Sequence, residues 1–170
     1  MRGKLAVILL VEDDEAHAVL TMRALEGAKV ANKIYWVSDG EEALDYLFHR
    51  GKYADTKKSP RPDLVILDLQ LPKLDGLEVL NTIKTSERLK VIPVIVLTTS
   101  ENEEDMAQAY NNYADGYIVK PLGFGEFSET VRELSSYWLI QNGPSPERYV
   151  CGSRYRGNRK APSCAECAHP

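Results

Sequence analysis

Residues 64–76 read LVILDLQLPKLDG, an apolar run that stops at a carboxylate, Asp68, before Pro72, Asp75 and Gly76 turn the chain. A charged group at the edge of a core is costly unless something pairs with it. Three other stretches supply groups of matching chemistry. Glu12, Asp13 and Asp14 follow LAVILLV; Thr98, Thr99 and Ser100 follow VIPVIVL; Lys120 and Pro121 follow DGYIV. Carboxylates brought within a few ångströms of one another do not all stay ionised without a cation. A hard oxygen cluster suits Mg2+, which binds through one or two carboxylates, keeps several waters and meets a substrate phosphate. A carboxylate can also act as a nucleophile and form an aspartyl-phosphate. That reaction needs in-line positioning and stabilised phosphoryl oxygens. A cation, the fixed charge of Lys120, and the Thr98 hydroxyl with backbone N–H groups would meet the need.

Taken singly, each signal has a bland reading. Acids after a strand favour the N-terminus of the next helix, a Thr at a strand end caps one, and Lys-Pro marks a turn. Their joint placement is the informative feature, because ligands of open parallel sheets bind beyond the carboxyl ends of the strands.

The elements that must hold these groups alternate along the chain. Apolar, β-branched runs at 5–11, 33–37, 63–68, 91–98 and 115–120 read as strands. Between them, Asp14 can cap a helix to about Gly27 with Ala16, Val19, Leu20 and Ala24 on one side. Ser38 or Asp39 can cap a second, with Ala43, Leu44, Leu47 and Phe48 as its apolar face. Gly76 to Ser86 carries Leu77, Val79, Leu80 and Ile83, and Glu101 to Tyr113 turns Met106, Ala109 and Tyr110 inward. Phe127, Val131, Leu134 and Trp138 form one stripe on a last helix ending near Ile140. Such alternation predicts an α/β, doubly wound, five-stranded parallel sheet. The link GKYADTKKSPRP at 51–62 is long and basic for this architecture.

The chain of 170 residues, 44% hydrophobic and 27% charged, has the composition of a globular protein. A net charge of −4 gives no support to nucleic acid or an anionic membrane as the main partner. No apolar run approaches the roughly 18 residues of a membrane span. The opening MRGKLAVILLVEDDE begins like a signal peptide, but its apolar stretch is short, runs into four acids and precedes no small-residue cleavage site. It reads as a first strand, and the protein as cytoplasmic. All three cysteines lie after residue 150, so residues 1–140 are no disulfide scaffold.

ILLVEDDE, LVILDLQLPKLDG, PVIVLTTS and YIVKP, in this order, resemble the receiver domain of two-component response regulators over about residues 4–140. The resemblance implies a (βα)5 flavodoxin-like fold with strand order 2-1-3-4-5. It makes Asp68 the phosphoacceptor, and Glu12 and Asp13 the Mg2+ carboxylates, leaving Asp14 to cap the first helix. The Gln70 backbone carbonyl would complete the protein ligands of the metal, with Asp68 as the third carboxylate. Thr98 becomes the switch hydroxyl, Tyr117 the switch aromatic and Lys120 the phosphate-pairing lysine, followed by a cis bond to Pro121. The 51–62 insert, LTTSENEED and SYWL resemble single-domain regulators associated with bacterial phytochrome kinases. That likeness implies a sensor histidine kinase as phosphoryl donor and a homodimer. The protein itself would be a phosphoacceptor rather than an enzyme, with intrinsic autophosphorylation and autodephosphorylation.

The switch surface is expected on the 101–113 segment, the fifth strand and the last helix, with Tyr110, Tyr113 and Phe124 as exposed candidates. Tyr137, Trp138, Leu139 and Ile140 are candidates for a dimer contact or for core. A DNA-binding module needs roughly 60 residues with their own periodicity, and the 141–170 tail has none. The tail holds Arg148, Arg154, Arg156, Arg159 and Lys160 against Glu147 and Glu166. Cys151, Cys164, Cys167 and His169 are potential zinc ligands, but only one Cys-x2-Cys pair is present. The tail reads as irregular. Two rivals differ in class. An aspartyl-phosphate phosphatase would need an acid two residues past the nucleophile, where Gln70 stands. A receiver-like module that binds partners without phosphorylation would need no phosphoacceptor chemistry.

Overall fold

The computed structural model describes residues 5–98, 108–109, 111–120 and 124–142. The strands are β1 (Ala6–Val11), β2 (Asn32–Val37), β3 (Leu64–Asp68), β4 (Val94–Thr98) and β5 (Gly116–Val119). The described helices are α1 (Glu15–Glu26), α2 (Gly40–Leu47), α3 (Gly76–Thr85) and α4 (Phe124–Asn142). All strand pairs are parallel, in the order β2-β1-β3-β4-β5. This is the expected doubly wound sheet. β1, β3 and β4 are buried throughout, as continuous apolar strands covered on both faces should be.

Strand alternation divides the core in two. Leu9, Val11, Val65, Leu67, Val94, Val96 and Tyr117 pack with α2 and α3. Ile8, Leu10, Leu64, Ile66, Ile95, Leu97 and Ile118 pack with α1 and α4. The α4 stripe of Phe127, Val131, Leu134 and Trp138 is buried as expected, and the helix runs on to Asn142. Tyr137 and Leu139 are buried too. Of the two readings of this helix end, the core reading holds for Tyr137, Trp138 and Leu139.

Helix faces were less legible. The buried residues of α1 are Ala18, Thr21, Ala24 and Leu25, rather than a side containing Ala16, Val19 and Leu20. A threonine can sit in that face because its hydroxyl donates to the His17 carbonyl at 2.9 Å. In α2 the cap is Asp39, whose side chain accepts from the Glu42 N–H at 2.8 Å. Tyr46, absent from the expected face, is 1% exposed, its hydroxyl donating to the Pro60 carbonyl at 2.8 Å. That bond and one between His49 Nε2 and the Ser59 carbonyl, 2.9 Å, fasten the 51–62 link to α2. A short 3-10 turn, Gly51–Tyr53, opens the link.

Of the helix expected at 101–113, Ala109 is buried as anticipated, whereas Met106 and Tyr110 lie outside the described residues. Pro121 with its expected cis bond, the side chains of Phe124 and Ile140, and the tail from 143 with Cys151, Cys164, Cys167 and His169 also lie outside them. No described helix is long and apolar enough to cross a membrane.

Candidate functional site

β1 delivers Glu12 as its chain leaves the sheet. The Glu12 N–H donates to the Val37 carbonyl at 3.1 Å, and the Trp36 indole N–H to the Glu12 carbonyl at 2.8 Å. These bonds fix the backbone and send the carboxylate inward, where it is 1% exposed. Asp13 is exposed, and Asp14 caps α1 by accepting the His17 N–H at 3.0 Å. Of the three acids in this run, Asp14 caps α1 as expected, Glu12 is buried and Asp13 is exposed.

β3 delivers Asp68, 6% exposed. Its Oδ1 accepts the Gln70 backbone N–H at 2.9 Å. The chain then doubles back, with the Gly76 N–H on the Leu69 carbonyl at 3.1 Å. A Cβ at Gly76 would stand 2.4 Å from the Asp68 carbonyl oxygen, so only glycine fits this return. Asp75 closes the loop by a capping box with Glu78 at the start of α3.

β5 and β4 deliver the cation and the hydroxyl. The Lys120 N–H donates to the Thr98 carbonyl at 2.7 Å. Lys120 Nζ lies 2.6 Å from Glu12 Oε2 and 2.9 Å from Asp68 Oδ2. Thr98 is fully buried. Tyr117, 4% exposed, lies in the core on the α2/α3 side, the side to which alternation along β4 also assigns Thr98. The sheet therefore gathers Glu12, Asp13, Asp68, Thr98 and Lys120 at one edge, with Gln70 adjoining.

Charge balance at this edge favours a further cation. One carboxylate oxygen each from Glu12, Asp13 and Asp68 lies within 4.8 Å of the others. Burial, aided by the Asp68 charge, pushes the Glu12 carboxyl up to about 7, although Lys120 pulls the other way. Burial would lower the Lys120 ammonium, but its bonds to Glu12 and Asp68 outweigh that and raise it. One ammonium thus serves a cluster of three carboxylates. Three hard oxygen donors with surplus negative charge fit a divalent cation.

The model of the response regulator receiver domain matches residues 8–132. The chain belongs to the response regulator receiver domain family. The receiver is 50% identical over 142 residues to a probable methanogenesis regulatory protein, FilR2, of Methanothrix harundinacea, a match spanning 82% of this chain and 88% of that protein. It is 41% identical over 133 residues to the response regulator Rcp1 of Synechocystis, spanning 78% and 88%. Among solved structures, the phosphorylated cyanobacterial phytochrome response regulator RcpA has a TM-score of 0.75 at 41% identity, covering 80% of this chain and 95% of its own. A Mn2+-bound form of Rcp1 has a TM-score of 0.72 at 40% identity, covering 79% and 94%. The acidic pocket of this receiver is thus of the kind at which receiver domains bind a divalent metal. Histidine kinases are the partners of receiver domains in two-component signalling.

One neighbour was missed from the sequence. His17 Nδ1 lies 3.3 Å from Lys120 Nζ and 4.0 Å from Glu12 Oε1. The available signal was its place three residues past the capping Asp14, on the first turn of a helix that starts at the site.

Proposed function

We propose that this receiver is the phosphoacceptor of a two-component relay, loaded on Asp68 by a sensor histidine kinase of phytochrome type. The observation that carries the reading is that Glu12 and Asp68 each come within 2.9 Å of Lys120 Nζ, with a carboxylate oxygen of Asp13 within 4.8 Å of theirs, in a receiver-family chain. The phytochrome assignment draws on the likeness to the phytochrome response regulator RcpA. An oxygen of Asp68 attacks the phosphorus of a phosphohistidine, the P–N bond breaks, and the imidazole leaves with its electron pair. The product is a mixed anhydride on Asp68, which water hydrolyses to restore the carboxylate. Lys120 and the Thr98 hydroxyl stabilise the phosphoryl oxygens. Mg2+, held by Glu12, Asp13, Asp68 and the Gln70 carbonyl, would supply the remaining charge neutralisation.

In this reading the protein is no enzyme acting on others; loading and hydrolysis are properties of its own Asp68. Loading shifts Thr98 and the Tyr117 ring between two positions and so alters a protein-binding surface that includes Tyr113, 71% exposed. Homodimerisation, a cytoplasmic site of action and a protein target other than nucleic acid complete the proposal.

The test is intact mass after incubation with acetyl phosphate, with and without Mg2+, for the wild type and Asp68→Asn. The expected result is one added phosphoryl group that needs Mg2+ and is absent from the variant. Light scattering on the same samples should give twice the chain mass after loading. A wild type that gains no phosphoryl group would overturn this reading and favour a receiver-like module that binds partners without phosphorylation.

A further inference from the structure

Lys120 is the hub of the site, and its ammonium has three N–H donors and no acceptor. Two donors point to Glu12 Oε2 and Asp68 Oδ2, at 2.6 and 2.9 Å. The third has a partner from a different element, His17 Nδ1 of α1, at 3.3 Å. The backbone of His17 is held on both sides. Its N–H is taken by the Asp14 cap at 3.0 Å, and its carbonyl by the Thr21 hydroxyl at 2.9 Å. The backbone that carries the ring is therefore fixed beside the site. The His17 side chain is 43% exposed, whereas that of Lys120 is 8% exposed.

We propose that His17 is a positioning residue for Lys120. Its Nδ1 accepts the third ammonium hydrogen, so Lys120 is held by three acceptors in three directions and stays aimed between Glu12 and Asp68. Because Lys120 can only donate, the contact requires the neutral tautomer with the proton on Nε2. The consequence concerns loading: an ammonium already in place needs no reorientation when the phosphoryl oxygens arrive. This inference rests on the phosphoacceptor reading for its effect on loading, but the contact itself can be tested without loading.

Two measurements decide it. The first is the initial rate of Mg2+-dependent loading by acetyl phosphate in the wild type, His17→Ala and His17→Asn, with thermal unfolding to confirm that each variant folds. Asn retains an oxygen acceptor at the position of Nδ1. His17→Ala should load about fivefold more slowly, the equivalent of one modest hydrogen bond, and His17→Asn should recover to within about twofold of the wild type. Equal rates in all three, or equal losses in Ala and Asn, would overturn the proposal. The second is 15N NMR of the imidazole. It should show Nδ1 unprotonated and hydrogen-bonded, a signature lost in Lys120→Met. A proton on Nδ1, or a spectrum indifferent to Lys120→Met, would overturn the contact directly. A wild type that fails to load while the imidazole signature is present would sink the phosphoacceptor reading and leave the contact standing.

Discussion

The proposed switch depends on Thr98 and Tyr117. Strand alternation assigns both to the α2/α3 side of the sheet, and both are buried. Thr98→Ala removes the hydroxyl but leaves Asp68 and Lys120 in place. It should still load, about fivefold more slowly than the wild type, since one neutral hydrogen bond contributes only about 1 kcal/mol. NMR of the Tyr117 ring should then show little of the change that loading produces in the wild type. An undiminished change would separate Tyr117 from Thr98. At this scale the sequence was informative about Asp68, Glu12, Asp13 and Lys120, because carboxylates and a lysine at strand ends are chemically conspicuous. It was silent about His17, whose partner is 103 residues away.

At the scale of elements, the link after α2 is secured through one carboxylate. Glu42 Oε1 accepts from Lys52 Nζ and the Tyr53 hydroxyl, each at 2.5 Å, and Oε2 accepts the Ser38 N–H at 3.1 Å. Partial burial works to raise this carboxyl, yet the bonds from Lys52, Tyr53 and Ser38 prevail and lower it from 4.5 to about 2. A depressed folded-state pKa stabilises above the unfolded value and ceases to do so as pH falls through the folded value. Glu42→Gln should therefore be less stable than the wild type at pH 6, by about 1 kcal/mol after allowance for solvent screening. The gap should shrink as pH falls from 4.5 toward 2. Urea unfolding across that range checks this; a gap that does not change with pH would mean the charge of Glu42 is irrelevant to fastening the link. The cap at Asp14, and Asp39 as one of two candidates, were legible in the residue types at helix starts, whereas Asp75 read only as part of the turn. The burial of Thr21 and Tyr46 was not, because each polar group finds its acceptor only after folding, on His17 and Pro60.

For the whole molecule, a second buried ion pair sits away from the residues of the candidate site. Lys84 Nζ, from α3, lies 2.6 Å from Asp115 Oδ2 and 2.8 Å from the Ile92 carbonyl, while Asp115 Oδ2 accepts the Val94 N–H at 2.9 Å. The side chains are 7% and 8% exposed, so the pair joins α3 to the beginnings of β4 and β5 in a dry setting. Lys84→Met removes the ammonium that faces a buried carboxylate and should cost about 3 kcal/mol of global stability in a urea titration. Loading at Asp68 should be unaffected under native conditions. A loss below about 1 kcal/mol would mean that water reaches Asp115 and that the pair is not structural. Periodicity and composition by themselves determined the alternation of strands and helices, the parallel sheet, and which residue types stand at its carboxyl edge. Those are local properties of hydrophobic pattern and capping. Only the tertiary structure decided which helix residues turn inward, that Tyr137 and Trp138 are core, that Lys84 meets Asp115, and that His17 meets Lys120. Each is a contact between elements far apart in the chain, set by how helices dock on a twisted sheet rather than by any pattern along it.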